Sequence, residues 1–311
     1  MVYSTCQGTE DRAFFPPQVI MEVKALACEL PGCRELPFSR LSHSDIAREA
    51  VQSGITASIS GATVWRWLSA DAIKPWCYRS WIFPRDPKFA EKAAKVLDLY
   101  HHVWEGQPLG PDDYVISADE KTSIQARERK AQSLPPRPGR YRKVEAEYIR
   151  HGALAYLAGW DVHRAKVFGF CAKKTGIESF EQLVSLVMTQ KPYCSAKRVF
   201  WVTDNGPSHR GQPSIDRMKQ WYPNAILVHT PVHASWLNQV EIYFSILQRK
   251  VLVPNDFFSL VHLEKTIIEF QNQYEEIAKP FKWKFTKEDM NNILVKLMQP
   301  DPNQEPGRHA A

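Results

Sequence analysis

Residues 229–251, HTPVHASWLNQVEIYFSILQRKV, read as a loop that feeds a helix, and the acid on that helix decides how the rest of the chain is read. Leu237, Val240, Phe244, Leu247 and Val251 recur at i+3 and i+4, so they share one helical face. Asn238, Glu241, Ser245 and Gln248 form a second stripe beside it at the same spacing. Ser235 is the expected N-cap, and Pro231 keeps the residue before it extended. Glu241 is flanked on its stripe by amides and a hydroxyl rather than by Lys or Arg, so nothing local neutralises it. An ordinary solvated amphipathic helix would show the same periodicity, and it is the upstream sequence that sets this one apart.

Working back from the helix, residues 225–229 read as a strand and 214–221 as a short helix. Residues 198–203, RVFWVT, form a nearly continuous apolar strand of the kind buried in the middle of a sheet. That strand ends at Asp204, in TDNGPSHRG. Residues 114–118, YVISA, are β-rich and are expected to end directly at Asp119. Between the two acids lie strands at 153–160 and 166–171, hairpinned around the DVHR turn at 161–164, and a helix at 179–190. The order is three strands, helix, strand, helix, strand, helix: an antiparallel start followed by alternating units, hence an α/β fold. Sites in such folds lie at the carboxyl ends of strands. Asp119, Asp204 and the loop before Glu241 are all expected there. Three converging carboxylates cannot all stay charged without a cation between them. Oxygen ligands without His or Cys point to a hard ion, and two Mg²⁺ ions roughly 3.5 to 4 Å apart would serve nucleophile and leaving group.

The remaining segments bound the possibilities. At 311 residues the chain is long enough for about two domains. It is 44% hydrophobic and 24% charged, no apolar run approaches a membrane span, and the amino end lacks the pattern of a signal peptide, so a cytoplasmic protein is expected. Six cysteines without CxxC or paired Cys/His spacing argue against zinc and against a disulfide framework. A net charge of +6 favours a polyanionic partner mildly. Residues 126–143 read as a basic loop, with seven Lys or Arg against one Glu.

Near the amino end, residues 17–30 place Ile20, Val23, Ala27 and Leu30 on one face. A helix at 44–52, with Ser44 and Asp45 at its capping end, is broken by Ser53 and Gly54. A third helix from about Ser60 turns Val64 and Leu68 inward and leaves Thr63 and Arg66 outward. The set reads as a helix-turn-helix unit or as a small helical bundle. Expected boundaries are a helix-turn-helix region at 1–73, with no helical module legible in its first fifteen residues, a linker and connecting helix at 74–112 with that helix over 87–104, a catalytic domain at 113–298 closed by helices at 260–278 and after Thr286, and a disordered tail at 299–311.

SADEKTSIQAR at 117–127, TDNGPSHRG at 203–211 and HTPVHASWLNQVEIYF at 229–244 resemble the DDE transposases of bacterial insertion sequences, in the mariner-type superfamily. Thirty-six residues separate Asp204 from Glu241, close to the spacing of that family. The resemblance implies an RNase H-like mixed sheet with flanking helices, preceded by a small all-α helix-turn-helix domain. It implies a catalytic triad of Asp119, Asp204 and Glu241 that ligates Mg²⁺ or Mn²⁺, strand cleavage and transfer at inverted-repeat ends, TA targets, and a homodimer assembled on DNA at the nucleoid. Lys121, Arg127 and His209 would contact phosphates or position the acids, unless they only form salt bridges. Asn238 would orient Glu241 or bind DNA, and Thr63, Arg66 and Arg140 would touch DNA. Members usually carry two helix-turn-helix units, and one is legible in this chain.

Overall fold

Three amphipathic segments near the amino end fold as the helices their periodicity predicts: α1 (Pro17–Cys28), α2 (His43–Gln52) and α3 (Gly61–Ala70). The computed structural model describes residues 15–77 and 86–298 and divides the chain into two units, Met1–Trp81 and Ile82–Ala311. In the first unit Val23, Leu26 and Ala27, Ile46 and Ala50, and Val64 and Leu68 bury one another. Leu30 does not join them: α1 stops at Cys28, and Leu30 is 73% exposed while Leu26 fills the core. The cap of α2 is Ser42 rather than Ser44, with Asp45 completing a capping box, whereas α3 is capped by Ser60 as expected. Trp76 packs edge-to-face on His43, which anchors the start of the expected linker. Residues 1–14, linker residues 78–85 and the tail at 299–311 lie outside the described residues.

In the second unit the connecting helix is shorter than expected, α4 (Phe89–Tyr100), and a two-stranded hairpin follows it, β1 (Val103–Trp104) and β2 (Gln107–Pro108), turned by Gly106 at φ +77°. It is no spacer. Ala93, Val96, Leu97, Leu99 and Tyr100 are buried in the main core, and burial at about 25 cal/mol per Å² makes that face too apolar to leave in water.

The sheet contains β3 (Asp113–Arg129), β4 (Tyr148–Asp161), β5 (Lys166–Ala172), β6 (Arg198–Thr203) and β7 (Ala225–His229), in the order β5-β4-β3-β6-β7. The first three strands meander antiparallel, and β6 and β7 add parallel to β3, giving the mixed RNase H-like sheet. Between them run α5 (Ile177–Met188) and α6 (Gly211–Trp221), followed by α7 (Val240–Leu247), α8 (Leu260–Ile277) and α9 (Lys287–Met298). Alternation along the strands assigns the faces. Val115, Phe200 and Val202 pack with α4, α7 and α8, while Tyr114, Ile116, Val199 and Trp201 pack with α5 and α6. With both faces covered, β6 is apolar throughout apart from its two ends. A bidentate pair from Arg198 to Asp113, at 2.9 and 2.6 Å, pins the first residues of β6 and β3 in register.

Two expectations are corrected here. β3 does not end at Asp119 but continues to Arg129, because β4 goes on pairing with it after β6 has stopped. Its last pair with β6 is Ser117↔Val202, so Asp119 lies two residues past the parallel edge while remaining inside a strand. For the same reason the first residues of the expected basic loop, through Arg129, are strand. The loop proper holds the short bridges Leu134↔Lys143 and Arg137↔Arg140, turned at Gly139.

Candidate active site

Asp119 is 9% exposed on the α7 face of β3. Oδ1 accepts from the backbone N–H of Glu120 at 2.8 Å, and Oδ2 accepts from Asn238 Nδ2 at 3.3 Å. Neither donor is a cation. Burial, joined by the charges of Asp204, Glu120 and Glu241, therefore pushes the Asp119 carboxyl up to about 7.

Asp204 follows β6 directly and is half-buried. Its Oδ1 accepts from the Gly206 N–H at 2.7 Å and from His209 Nε2 at 2.5 Å. Burial opposes ionisation, but the bonds to His209 and Gly206 and the charges of His209 and His229 outweigh it and hold the carboxyl below its usual value. The bond requires a glycine at 206: a Cβ there would stand 2.9 Å from His209 Nε2 and 3.0 Å from Asp204 Oδ1. The loop is tied down at several points. Asn205 Nδ2 donates to Thr230 O at 2.7 Å, Ser214 Oγ to His209 O at 2.8 Å, and Arg217 to Ser208 O at 2.9 Å. His209 is fully buried; burial disfavours its charge, but the bond to Asp204 and the charges of Glu120, Asp204 and Asp119 raise its pKa overall.

The helix bearing Glu241 starts later than expected. Residues 235–237 form a 3₁₀ turn and α7 begins at Val240, so Ser235 caps nothing. The cap comes from the sheet. Ser117 Oγ accepts from the Val240 N–H at 2.8 Å and donates to Asn238 Oδ1. Asn238, expected on the polar stripe with Glu241, is fully buried, and its Nδ2 donates to Ala118 O at 2.9 Å as well as to Asp119. Its partner is thus Asp119 rather than Glu241, and its buried amide presents no face to DNA. From the other side Tyr100 Oη donates to Leu237 O at 2.7 Å, so α4 props the same loop. Leu237, Val240, Phe244 and Leu247 are buried as their spacing predicts. Past Leu247 the helix widens into a π turn at Gln248–Leu252, which leaves Val251 only half-buried. Glu241 is half-buried, and among the described residues its carboxylate accepts no hydrogen bond. Burial raises its pKa, Lys121 opposes the rise, and Asp204 adds to it.

The structure thus brings Asp119, Asp204 and Glu241 into electrostatic contact, with Lys121, His209 and Asn238 around them. As the side chains stand, no three His, Cys, Asp or Glu groups among the described residues close into a metal-holding cluster. Arg127 extends from β3 over the Tyr148 ring, and Arg140 sits in the turn of the 130–147 loop; neither bonds to the acids. In the first unit Arg66 is exposed and donates to Thr63 Oγ1 at 3.1 Å. Sequence reasoning passed over Glu120, Ser117, Gly206 and Ser208. Glu120 faces away from Asp119, accepts from Ser208 Oγ at 3.3 Å, and Ser208 in turn bonds His209 Nδ1 at 3.0 Å. Period-two alternation places Ser117 beside Asp119 on one face of the strand and Glu120 on the other.

The DDE superfamily endonuclease family matches residues 114–262. No curated protein sequence matches the chain. Among solved structures the chain is similar to the Mos1 mariner paired end complex with Mn, at TM-score 0.53 and 17% identity over 91% of this chain and 77% of that one. The Mos1 paired end complex with Mg gives 0.53 and 16% over 94% and 80%, and the Mos1 Strand Transfer Complex 0.52 and 14% over 91% and 78%. At these identities the likeness is one of fold. Among the described residues no helix is long and apolar enough to cross a membrane.

Proposed function

We propose that the chain, whose residues 114–262 match the DDE superfamily endonuclease family, is a transposase whose Asp119, Asp204 and Glu241 cut and rejoin DNA at the ends of an insertion element. The observation that carries this reading is the gathering of Asp119, Asp204 and Glu241 at one sheet edge with no cation bonded to Asp119, whose carboxyl is lifted to about 7 first by burial and then by the charges of Asp204, Glu120 and Glu241. An all-carboxylate oxygen set fits a hard divalent cation, Mg²⁺ or Mn²⁺, and a cation is what such a charge cluster lacks. The three acids would hold it, and when bound it supplies the charge that polarises the scissile phosphodiester and activates the attacking hydroxyl.

The chain's own residues prepare that site. Asn238 fixes Asp119 against the start of α7, and His209 with the Gly206 amide holds Oδ1 of Asp204, leaving its Oδ2 without a hydrogen bond among the described residues. Lys121, whose charge opposes the rise at Glu241, offers a cation to the phosphate. Two in-line displacements follow. Water attacks the phosphorus at the element end, and the P–O bond to the 3′ oxygen breaks to free a 3′-hydroxyl. That hydroxyl then attacks a target phosphodiester, exchanging one P–O bond for another. The helical unit, with Arg66 exposed on α3, would bind the repeats, and two copies would pair two ends, with TA as the target expected from the family resemblance. The protein would work on DNA in the cytoplasm, at the nucleoid.

The test incubates the protein with Mg²⁺ and labelled duplexes carrying candidate inverted-repeat ends, beside Glu241→Gln. Wild-type cleavage with joined products is expected, reduced at least about 10²-fold in the variant. Cleavage without joining would make it a nuclease; a shifted band without cleavage would sink the enzymatic reading.

A further inference from the structure

Past Asp119, β3 leaves its regular pairing with β4 between Lys121 and Ile124, where Ser123 takes φ +57°. The bulge opens a groove of about 420 Å³ between β3 and the turn after α7. Its lining contains three cations, Lys121, Arg127 and Arg129, and no carboxylate. Lys121 ties the groove's near end to the acids, since its charge acts on Glu241.

The two arginines are held in place without being neutralised. Arg127 Nε donates to Gln125 Oε1 at 2.9 Å, and Arg129 donates to the carbonyls of Asn255 and Glu145, each at 2.9 Å. No salt bridge among the described residues involves either one. The guanidinium carbons lie 4.7 and 5.6 Å from the Tyr148 ring centroid, and Arg150 lies 5.7 Å from the same ring. Asn255 is occupied as well: Oδ1 accepts from the Arg127 N–H and Nδ2 donates to Gln125 O. Preorganised charge with no acid partner is suited to phosphate oxygens. The Tyr148 ring is occupied by arginines and Asn255 by backbone, so neither is free to stack on or read a base.

We propose that this groove binds the phosphodiester backbone of the DNA strand leading away from the scissile phosphate, independently of base sequence. This deepens the transposase reading and rests on it. The test measures binding of the full chain to end-bearing and to random duplexes of equal length, in EDTA, across a salt series, for wild type, Arg127→Gln and Arg127→Lys. Each phosphate contact on duplex DNA contributes about 0.9 to the slope of log K against log salt. Arg127→Gln should lower the slope by about 1 and weaken both duplexes by the same factor, and Arg127→Lys should restore the slope. An unchanged slope, a loss confined to the end sequence, or a lysine variant as weak as the glutamine variant would each overturn the proposal. Wild-type cleavage in the earlier assay keeps that outcome separate from failure of the transposase reading itself.

Discussion

Asp119 and Asp204 come from neighbouring parallel strands, yet their surroundings drive them in opposite directions. Asp119 meets an amide and a backbone N–H, and burial lifts it to about 7. Asp204 meets a buried histidine that is itself drawn toward the charged form, and it stays below the ordinary carboxylate value. The difference shows that lying on neighbouring parallel strands does not set protonation; burial and the nearest donor do. One acid is left short of positive charge while the other already has some. Environments that push two titrating groups apart mark a division of roles, here between an acid that waits for a cation and one that is kept ionised.

The comparison can be broken on the Asp119 side first. Without metal, the folded protein holds a proton on Asp119 between about pH 4 and 7 that the unfolded chain has released, so this acid makes stability fall as pH rises through that window. A pKa of about 7 corresponds to roughly 4 kcal/mol at most. Asp119→Asn should therefore raise the metal-free Tm by several degrees at pH 8, with the gain vanishing toward pH 4. Thermal unfolding checks both, and a variant less stable than wild type at pH 8 would mean the carboxylate is not strained by its neighbours. Added Mn²⁺ should raise the Tm of the wild type but not of the variant.

On the Asp204 side, His209→Gln removes the imidazole that is drawn toward its charged form. Groups that orient a ligand cost about 10- to 100-fold in metal affinity when lost. A titration of activity against Mn²⁺ should show that shift in half-saturation with a smaller change at saturating metal; an unchanged half-saturation would remove His209 from the site. The smallest effect is expected at Ser208→Ala, which cuts the link from His209 to Glu120. Loss of a hydrogen bond near about 1 kcal/mol corresponds to a fewfold change in the same titration. If Ser208→Ala equals His209→Gln, the histidine works through Glu120 rather than through Asp204.

Much of the second unit was legible before any coordinates. The β6 strand ending at Asp204, the β4–β5 hairpin at its DVHR turn, β7, and the buried face of α7 all follow from short-range periodicity. The missed features share one cause. The continuation of β3 past Asp119 and the late start of α7 each depend on a partner distant in sequence: β4 and Ser117. Local propensity carries no record of them.

The sequence by itself determined the order of the elements and which acids the chain carries to its sheet edge, because helix and strand periods and the chemistry of Asp and Glu are local properties. Only the tertiary structure decided which of these acids is starved of charge and which is supplied with it. Asn238 reaches Asp119 from 119 positions away and Ser117 caps a helix 123 positions on, whereas His209 reaches Asp204 only because Gly206 leaves room. Desolvation and hydrogen bonding act between groups in space, and their sum at each carboxylate exists only once the sheet and its covering helices have closed around it.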